Sequence, residues 1–198
     1  MKLKKIYTVM TTAFLMTGSC FAQSSNFSHP MNLQKSHDLN CISPEQLRTE
    51  YTPVDLHGAV IACLKKKKLK DARFLFMAYS FYGGFDRRRI TDKSAGGAIQ
   101  SLNFMFSQEL SKSQLNKFFE FLNEFSERDE LLQEVCKEIR AIGKPTYIPY
   151  YMLAHGLKSI KANGDQVTYL SKEELKNLLS QDDDSSVWNT TLSGNGCK

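Results

Sequence analysis

The stretch Thr52–Gly84, TPVDLHGAVIACLKKKKLKDARFLFMAYSFYGG, decides the fold class. Thr52 is a capping residue, and Pro53 suits a first helical position because the N–H it lacks would have no partner there. Asp55 faces the positive end of the helix dipole. Leu56, Val60, Cys63 and Leu64 then recur at helical spacing, and Lys65-Lys66-Lys67-Lys68 puts positive charge at the carboxyl end. A basic run can bind phosphate, but at a helix end a solvated cap is the favoured reading. A second helix follows, with Ala72, Leu75, Phe76 and Tyr79 on one stripe, and Gly83-Gly84 are expected to stop it. Together these helices read as one hairpin of the tetratricopeptide or Sel1 type, in which alanine marks close helix contact. A single copy supports no solenoid.

Outward from this hairpin the pattern stays helical. Further helices are expected at about 90–106, 113–124, 129–142, 149–162 and 171–180. The third of these carries Leu131, Leu132, Val135, Cys136 and Ile139, and Pro145 forbids its continuation. The last opens on Ser171-Lys172-Glu173-Glu174, a capping box. Only Gln166-Val167-Thr168-Tyr169-Leu170 has strand character, and one strand builds no sheet. The expected fold is all-α: a compact array of about six to seven short helices, stapled by disulfides.

Residues 1–22 read as a secretory signal peptide. Lys2, Lys4 and Lys5 precede a short apolar run, and Cys20-Phe21-Ala22 offers a small-residue cleavage site after Ala22. The apolar run is well short of the roughly 20 residues that span a bilayer, so no stable membrane span is expected. Lipid attachment at Cys20 is disfavoured, because Thr17-Gly18-Ser19 lacks the aliphatic residue such signals carry. Export makes the periplasm the expected location. Cleavage also removes three lysines, so a formal charge of +5 falls to +2, and no nucleic-acid partner is implied. The remaining 176 of 198 residues suffice for one domain. Residues 23–40, serine-rich and without period, read as a flexible leader, and 41–198 as a single helical domain. Trp188, the only tryptophan, is expected to anchor the tail.

Four cysteines remain after cleavage: Cys41, Cys63, Cys136 and Cys197. In an oxidising compartment they read as two disulfides with three possible pairings. Cys63 with Cys136, and Cys41 with Cys197 tying the ends together, is the expected one. No C-x-x-C pair, phosphate loop, G-x-G-x-x-G, H-E-x-x-H or calcium loop occurs, so no metal or cofactor is implied.

Two stretches exceed what packing needs. In Tyr82-Gly83-Gly84-Phe85-Asp86-Arg87-Arg88-Arg89-Ile90-Thr91-Asp92-Lys93, a capped turn with Arg89 paired to Asp92 is the plain reading. The functional one is a ridge of Arg87, Arg88 and Arg89 beside Phe85, a chemistry that anchors protein partners. The second, Gly143-Lys144-Pro145-Thr146-Tyr147-Ile148-Pro149-Tyr150-Tyr151-Met152-Leu153-Ala154-His155-Gly156, reads as a proline-fixed helix start. Its cluster around Tyr147, Tyr150 and His155 is a candidate recognition surface. A lone histidine beside tyrosine is more often hydrogen-bonded within the fold than catalytic, and no nucleophile–base set is evident.

The string Tyr51-Thr52-Pro53 with Phe85-Asp86, followed by Pro145-Thr146-Tyr147, Met152 and His155-Gly156, resembles a family of small exported helical proteins of Gram-negative bacteria. The resemblance covers roughly residues 51–156 and implies a periplasmic location and a helical fold. It brings no catalytic residues. This chain departs from the family's pattern in its Arg87-Arg88-Arg89 and Gly96-Gly97. The expected function is a non-catalytic periplasmic protein-binding protein, an immunity or inhibitor protein against a secreted toxin or hydrolase. Alternatives are a helical-repeat adaptor of an envelope complex, or a small enzyme using His155 with Asp86, Asp92 or Tyr147.

Overall fold

A computed structural model describes residues 28–164 and 166–198. The expected signal peptide with its cleavage after Ala22, Cys20, and residues 23–27 of the leader lie outside the described residues. Helix α1, Pro53–Lys65, begins as its sequence dictates. Thr52 Oγ1 accepts from the Asp55 N–H at 3.3 Å while the Asp55 carboxylate accepts from the Thr52 N–H at 2.9 Å. The chain reverses at Lys67, whose φ of 58° is left-handed, and the Lys68 N–H closes the turn on the Cys63 carbonyl at 2.9 Å. Helix α2, Leu69–Arg88, then returns along α1. Ala59, Ala72 and Ala78 are fully buried along with Leu56, Val60, Leu75 and Phe81, so small residues do mark close approach in this hairpin.

Gly83-Gly84 do not stop α2, which runs one further turn. The glycines are contact points instead. A Cβ on Gly83 would lie 2.6 Å from Ile99 Cδ1, and one on Gly84 would lie 3.4 Å from Thr191 Cγ2. Helix α3, Gly97–Glu109, follows a 3₁₀ turn at Lys93–Gly96. Helices α4, Lys112–Glu127, and α5, Asp129–Ile142, stand where sequence places them, and Gly143 ends α5 at a φ of 101°. Phe76, Phe106 and Phe118 meet edge to face where α2, α3 and α4 join.

The expected helix over 149–162 is cut short. Helix α6 is only Tyr150–Leu153, and a 3₁₀ turn at Leu157–Ser159 leads into β1, Ile160–Asn163. Side-chain acceptors take the donors that a longer helix would use: Leu157 N–H goes to Ser94 Oγ at 2.9 Å and Lys158 N–H to Asp92 Oδ2 at 2.8 Å. Strand β1 pairs antiparallel with β2, Gln166–Tyr169, in the register Ile160↔Tyr169, so the segment with strand character finds a partner. Helix α7, Lys172–Lys176, keeps its capping box but is short, because Leu179 bridges to Ile90. Helix α8, Asp184–Gly194, brings Trp188 back onto Tyr82 and Phe85 as expected. The fold is thus all-α, with eight helices and one two-stranded hairpin among the described residues, none of them a helix long and apolar enough to cross a membrane.

The disulfides are Cys41–Cys63 and Cys136–Cys197, which overturns the expected pairing. Cys63 on α1 faces the amino-terminal segment, not α5. The carboxyl terminus returns to α5, where Lys198 N–H donates to Gln133 Oε1 at 3.0 Å. Two such bridges suit an oxidising compartment. From His29 onward the expected leader also has a packed position. His29 is buried with Nε2 2.9 Å from the Leu170 carbonyl, and Ser36 and His37 N–H groups both donate to Asp55 Oδ1, at 2.8 and 2.9 Å.

Candidate functional site

Asp86 is fully buried at the last turn of α2 and is the acceptor at the centre of a polar lock. Arg89 donates to its Oδ1 at 2.9 Å, and the hydroxyls of Tyr147 and Tyr151 donate to its Oδ2 at 2.9 and 2.8 Å. Arg89 also donates to the Tyr147 carbonyl at 2.8 Å and lies 4.5 Å over the Phe85 ring. Burial pushes the Asp86 carboxyl up from the ordinary carboxylate value, while Arg89 and the two hydroxyls act against it. Burial, reinforced by the Asp86 charge, drives both tyrosine pKa values well above the ordinary phenol value. This lock fastens α2 to Tyr147 in the segment before α6 and to Tyr151 within α6.

A second polar cluster lies at Asp92. Its Oδ1 accepts from the Ser94 N–H and hydroxyl at 3.1 and 2.6 Å. Burial raises the Asp92 pKa, but hydrogen bonds from Ser94 and the Lys158 N–H outweigh it and leave the carboxyl below its ordinary value. Gly156 passes so close that a Cβ there would lie 2.4 Å from Asp92 Oδ2. His155, half-buried, points elsewhere: its Nδ1 is 2.8 Å from Asn32 Oδ1. Burial lowers the His155 pKa. The Asp86, Asp92 and Tyr147 groups that an acid–base role for His155 would draw on are bonded to other partners.

The expected recognition residues therefore do not form one surface. Phe85 is buried edge-on against Trp188 at 5.6 Å, and Arg89 is buried in its ion pair, now with Asp86 and not Asp92. Neither is available to a partner, and Tyr147 spends its hydroxyl inside. Tyr150 is half-buried, with Lys172 Nζ 5.5 Å from its ring. Arg87 and Arg88 alone of the arginine run are exposed.

These two arginines stand in an open cleft of about 1230 Å³ between α2, the start of α3 and α8. Arg87 lies across Gly96, with Cδ 3.2 Å from where a Cβ would be, and Arg88 Nη2 is 3.0 Å from the same point on Gly194. Among the described residues neither guanidinium forms an ion pair. Asp182 and Asp183, which also line the cleft, are bonded to the Ser180 hydroxyl and the Ser186 N–H. Sequence reasoning missed the glycine seats and the α8 wall, whose proximity to α2 is legible only in Trp188. One group of possible metal ligands occurs among the described residues, Cys41, Cys63 and Asp71 within 4.8 Å, and two of its atoms are the bonded sulfurs of a disulfide. No protein-family model, no curated protein and no solved structure matches this chain.

Proposed function

We propose that this chain is an exported, disulfide-stapled binding protein of the periplasm, acting as an immunity or inhibitor protein against a secreted toxin or hydrolase, with the α2–α8 cleft as its partner surface. The observation that carries this reading is the pair Arg87 and Arg88, exposed, lying against Gly96 and Gly194 and without a counter-ion among the described residues. An arginine without a counter-ion can give its planar fork to an incoming carboxylate, which is the property of an interface anchor. The rigid frame behind it, the Asp86 lock and two disulfides, supports a preorganised surface.

The test is capture with the oxidised chain from envelope and secreted fractions of the native organism, followed by assay of the captured protein. One stoichiometric toxin or hydrolase whose activity falls on binding, and recovers with the Arg87→Glu/Arg88→Glu variant, is the expected result. A captured protein whose activity is unchanged by binding, or no specific partner, would sink the reading.

A further inference from the structure

We infer that the tip of the α1–α2 hairpin is a docking surface for an anionic phospholipid bilayer. Five of the six residues from Lys65 to Lys70 are lysines, and all six positions are exposed. The solvated-cap reading accounts for Lys65 and Lys66, which sit at the negative end of α1. It does not account for the other three. Lys67, with a φ of 58°, is the left-handed residue that ends α1, a place where glycine or asparagine is the ordinary occupant. Lys68 stands at the cap of α2, where serine, threonine or aspartate is preferred, and its side chain makes no cap hydrogen bond. Lys70, the second residue of α2, adds positive charge at the positive end of that helix. Three lysines thus occupy positions that the local backbone disfavours, and local conflict of that kind is expected at functional sites.

The charges around the tip do not cancel it. Lys68 Nζ reaches only the Asp71 carboxylate, 4.0 Å away, and Lys66 Nζ donates to the Asn40 side-chain oxygen at 2.8 Å. Lys65, Lys67 and Lys70 have no ion pair among the described residues. In the amino-terminal segment, Asp38 is engaged by Lys35 and Glu45 by the Ser43 hydroxyl. Helix α4, which Arg73 meets over the Phe121 ring, carries Lys117 as well as Glu120 in that stretch. Six consecutive exposed positions at a chain reversal make a projecting tip, not a groove, and among anionic partners a bilayer fits it best. Protein interfaces are anchored by arginine and aromatic side chains and are depleted in lysine. Single-stranded nucleic acid is held by stacking on aromatic rings, and the run contains none. A bilayer presents a dense layer of phosphates to a projecting lysine cluster. It also takes Leu69, 36 % exposed between Lys68 and Lys70, into its headgroup boundary. This inference does not depend on the α2–α8 cleft.

The experiment measures sedimentation of the oxidised chain with vesicles of phosphatidylcholine alone, and of phosphatidylcholine with about 30 % phosphatidylglycerol, at low and moderate salt. Binding to the anionic vesicles only, weakening as salt rises, is the expected result. Lys67→Gly/Lys68→Ser/Lys70→Gln is expected to weaken it about tenfold or more. The same variant should have a higher Tm, because each replacement suits the local backbone better. Lost binding in a more stable protein separates docking from a structural role. Leu69→Ala should weaken binding several-fold, and Arg87→Ala/Arg88→Ala should leave it unaltered. The inference is overturned if the chain ignores anionic vesicles, if it binds neutral ones as well, or if the arginine pair matters as much as the three lysines. It is also overturned if hexaglutamate or a single-stranded oligonucleotide, at equal concentration of negative charge, binds through these lysines more tightly than the vesicles do. Vesicle binding by a chain that captures no inhibited partner would support this inference and overturn only the inhibitor reading.

Discussion

The Tyr147 hydroxyl and the Asp86 carboxylate lie 2.9 Å apart although 61 positions separate them in the chain. With Arg89 and Tyr151 they close a buried network in which one guanidinium and two phenol hydroxyls donate to a single carboxylate, and such networks fail badly when one member is removed. Asp86→Asn keeps the volume but leaves the buried Arg89 with only Asp184, 3.9 Å away, as counter-ion. The expected loss is about 3–5 kcal/mol, read as a fall in urea midpoint and in Tm on the order of 10 °C. Tyr147→Phe, which removes one donor, should cost about 1–2 kcal/mol. Equal effects of the two substitutions would contradict a network centred on Asp86.

Two glycines separate steric need from packing convenience. At Gly156 an added Cβ meets the Asp92 carboxylate at 2.4 Å, and that oxygen is fixed by the Lys158 N–H. Gly156→Ala should therefore destabilise by about 1–3 kcal/mol. At Gly83 the obstructing atom is the tip of Ile99, which can rotate away, and alanine is the better residue inside a helix by about 0.5–1 kcal/mol. Gly83→Ala should be near neutral in chemical denaturation. A Gly83→Ala loss as large as that of Gly156→Ala would mean that α3 cannot yield at Ile99.

The hairpin of α1 and α2 is legible in the sequence because caps and 3.6-residue periodicity are local signals. The candidate site is half legible, for a geometric reason. Read as a string, Phe85-Asp86-Arg87-Arg88-Arg89 is a basic ridge beside an aromatic. Once α2 continues through Gly83-Gly84, successive side chains turn by about 100°, so Phe85, Asp86 and Arg89 share the inner side while Arg87 and Arg88 turn outward. What was illegible is what arrives from far away: Tyr147 and Tyr151 onto Asp86, Asp92 onto the donors that shorten α6, and the α8 wall of the cleft. Cysteine pairing is hidden in the same way, since no local rule says which helix face meets which terminus.

The two disulfides are expected to differ in worth. They close 22 and 61 positions, for which chain-entropy arguments give about 3 and about 4 kcal/mol. Cys136→Ser/Cys197→Ser should thus lower stability more than Cys41→Ser/Cys63→Ser. It also frees the carboxyl terminus that Gln133 and Asp129 otherwise hold. A non-reduced peptide map should recover Cys41 joined to Cys63 and Cys136 joined to Cys197. Any Cys63–Cys136 peptide from freshly purified chain would overturn the assignment.

His57 sets a pH dependence that can be worked out in sign. Its ring is buried 4.1 Å from Phe106, with Nε2 lacking a hydrogen-bond partner among the described residues, and burial pulls its pKa down to about 4. An unfolded histidine titrates near 6.5, so between about pH 6.5 and 4 the unfolded chain binds more protons than the folded one. The fold is therefore expected to lose stability as pH falls through that window, by on the order of 3 kcal/mol. His155, also held down by burial, adds a slope of the same sign. His57→Phe removes one titrating group and the orphaned nitrogen together. Its unfolding free energy, measured from pH 7 to pH 4, should fall less steeply than that of the parent. Parallel curves for the two proteins would show that His57 does not carry the acid sensitivity.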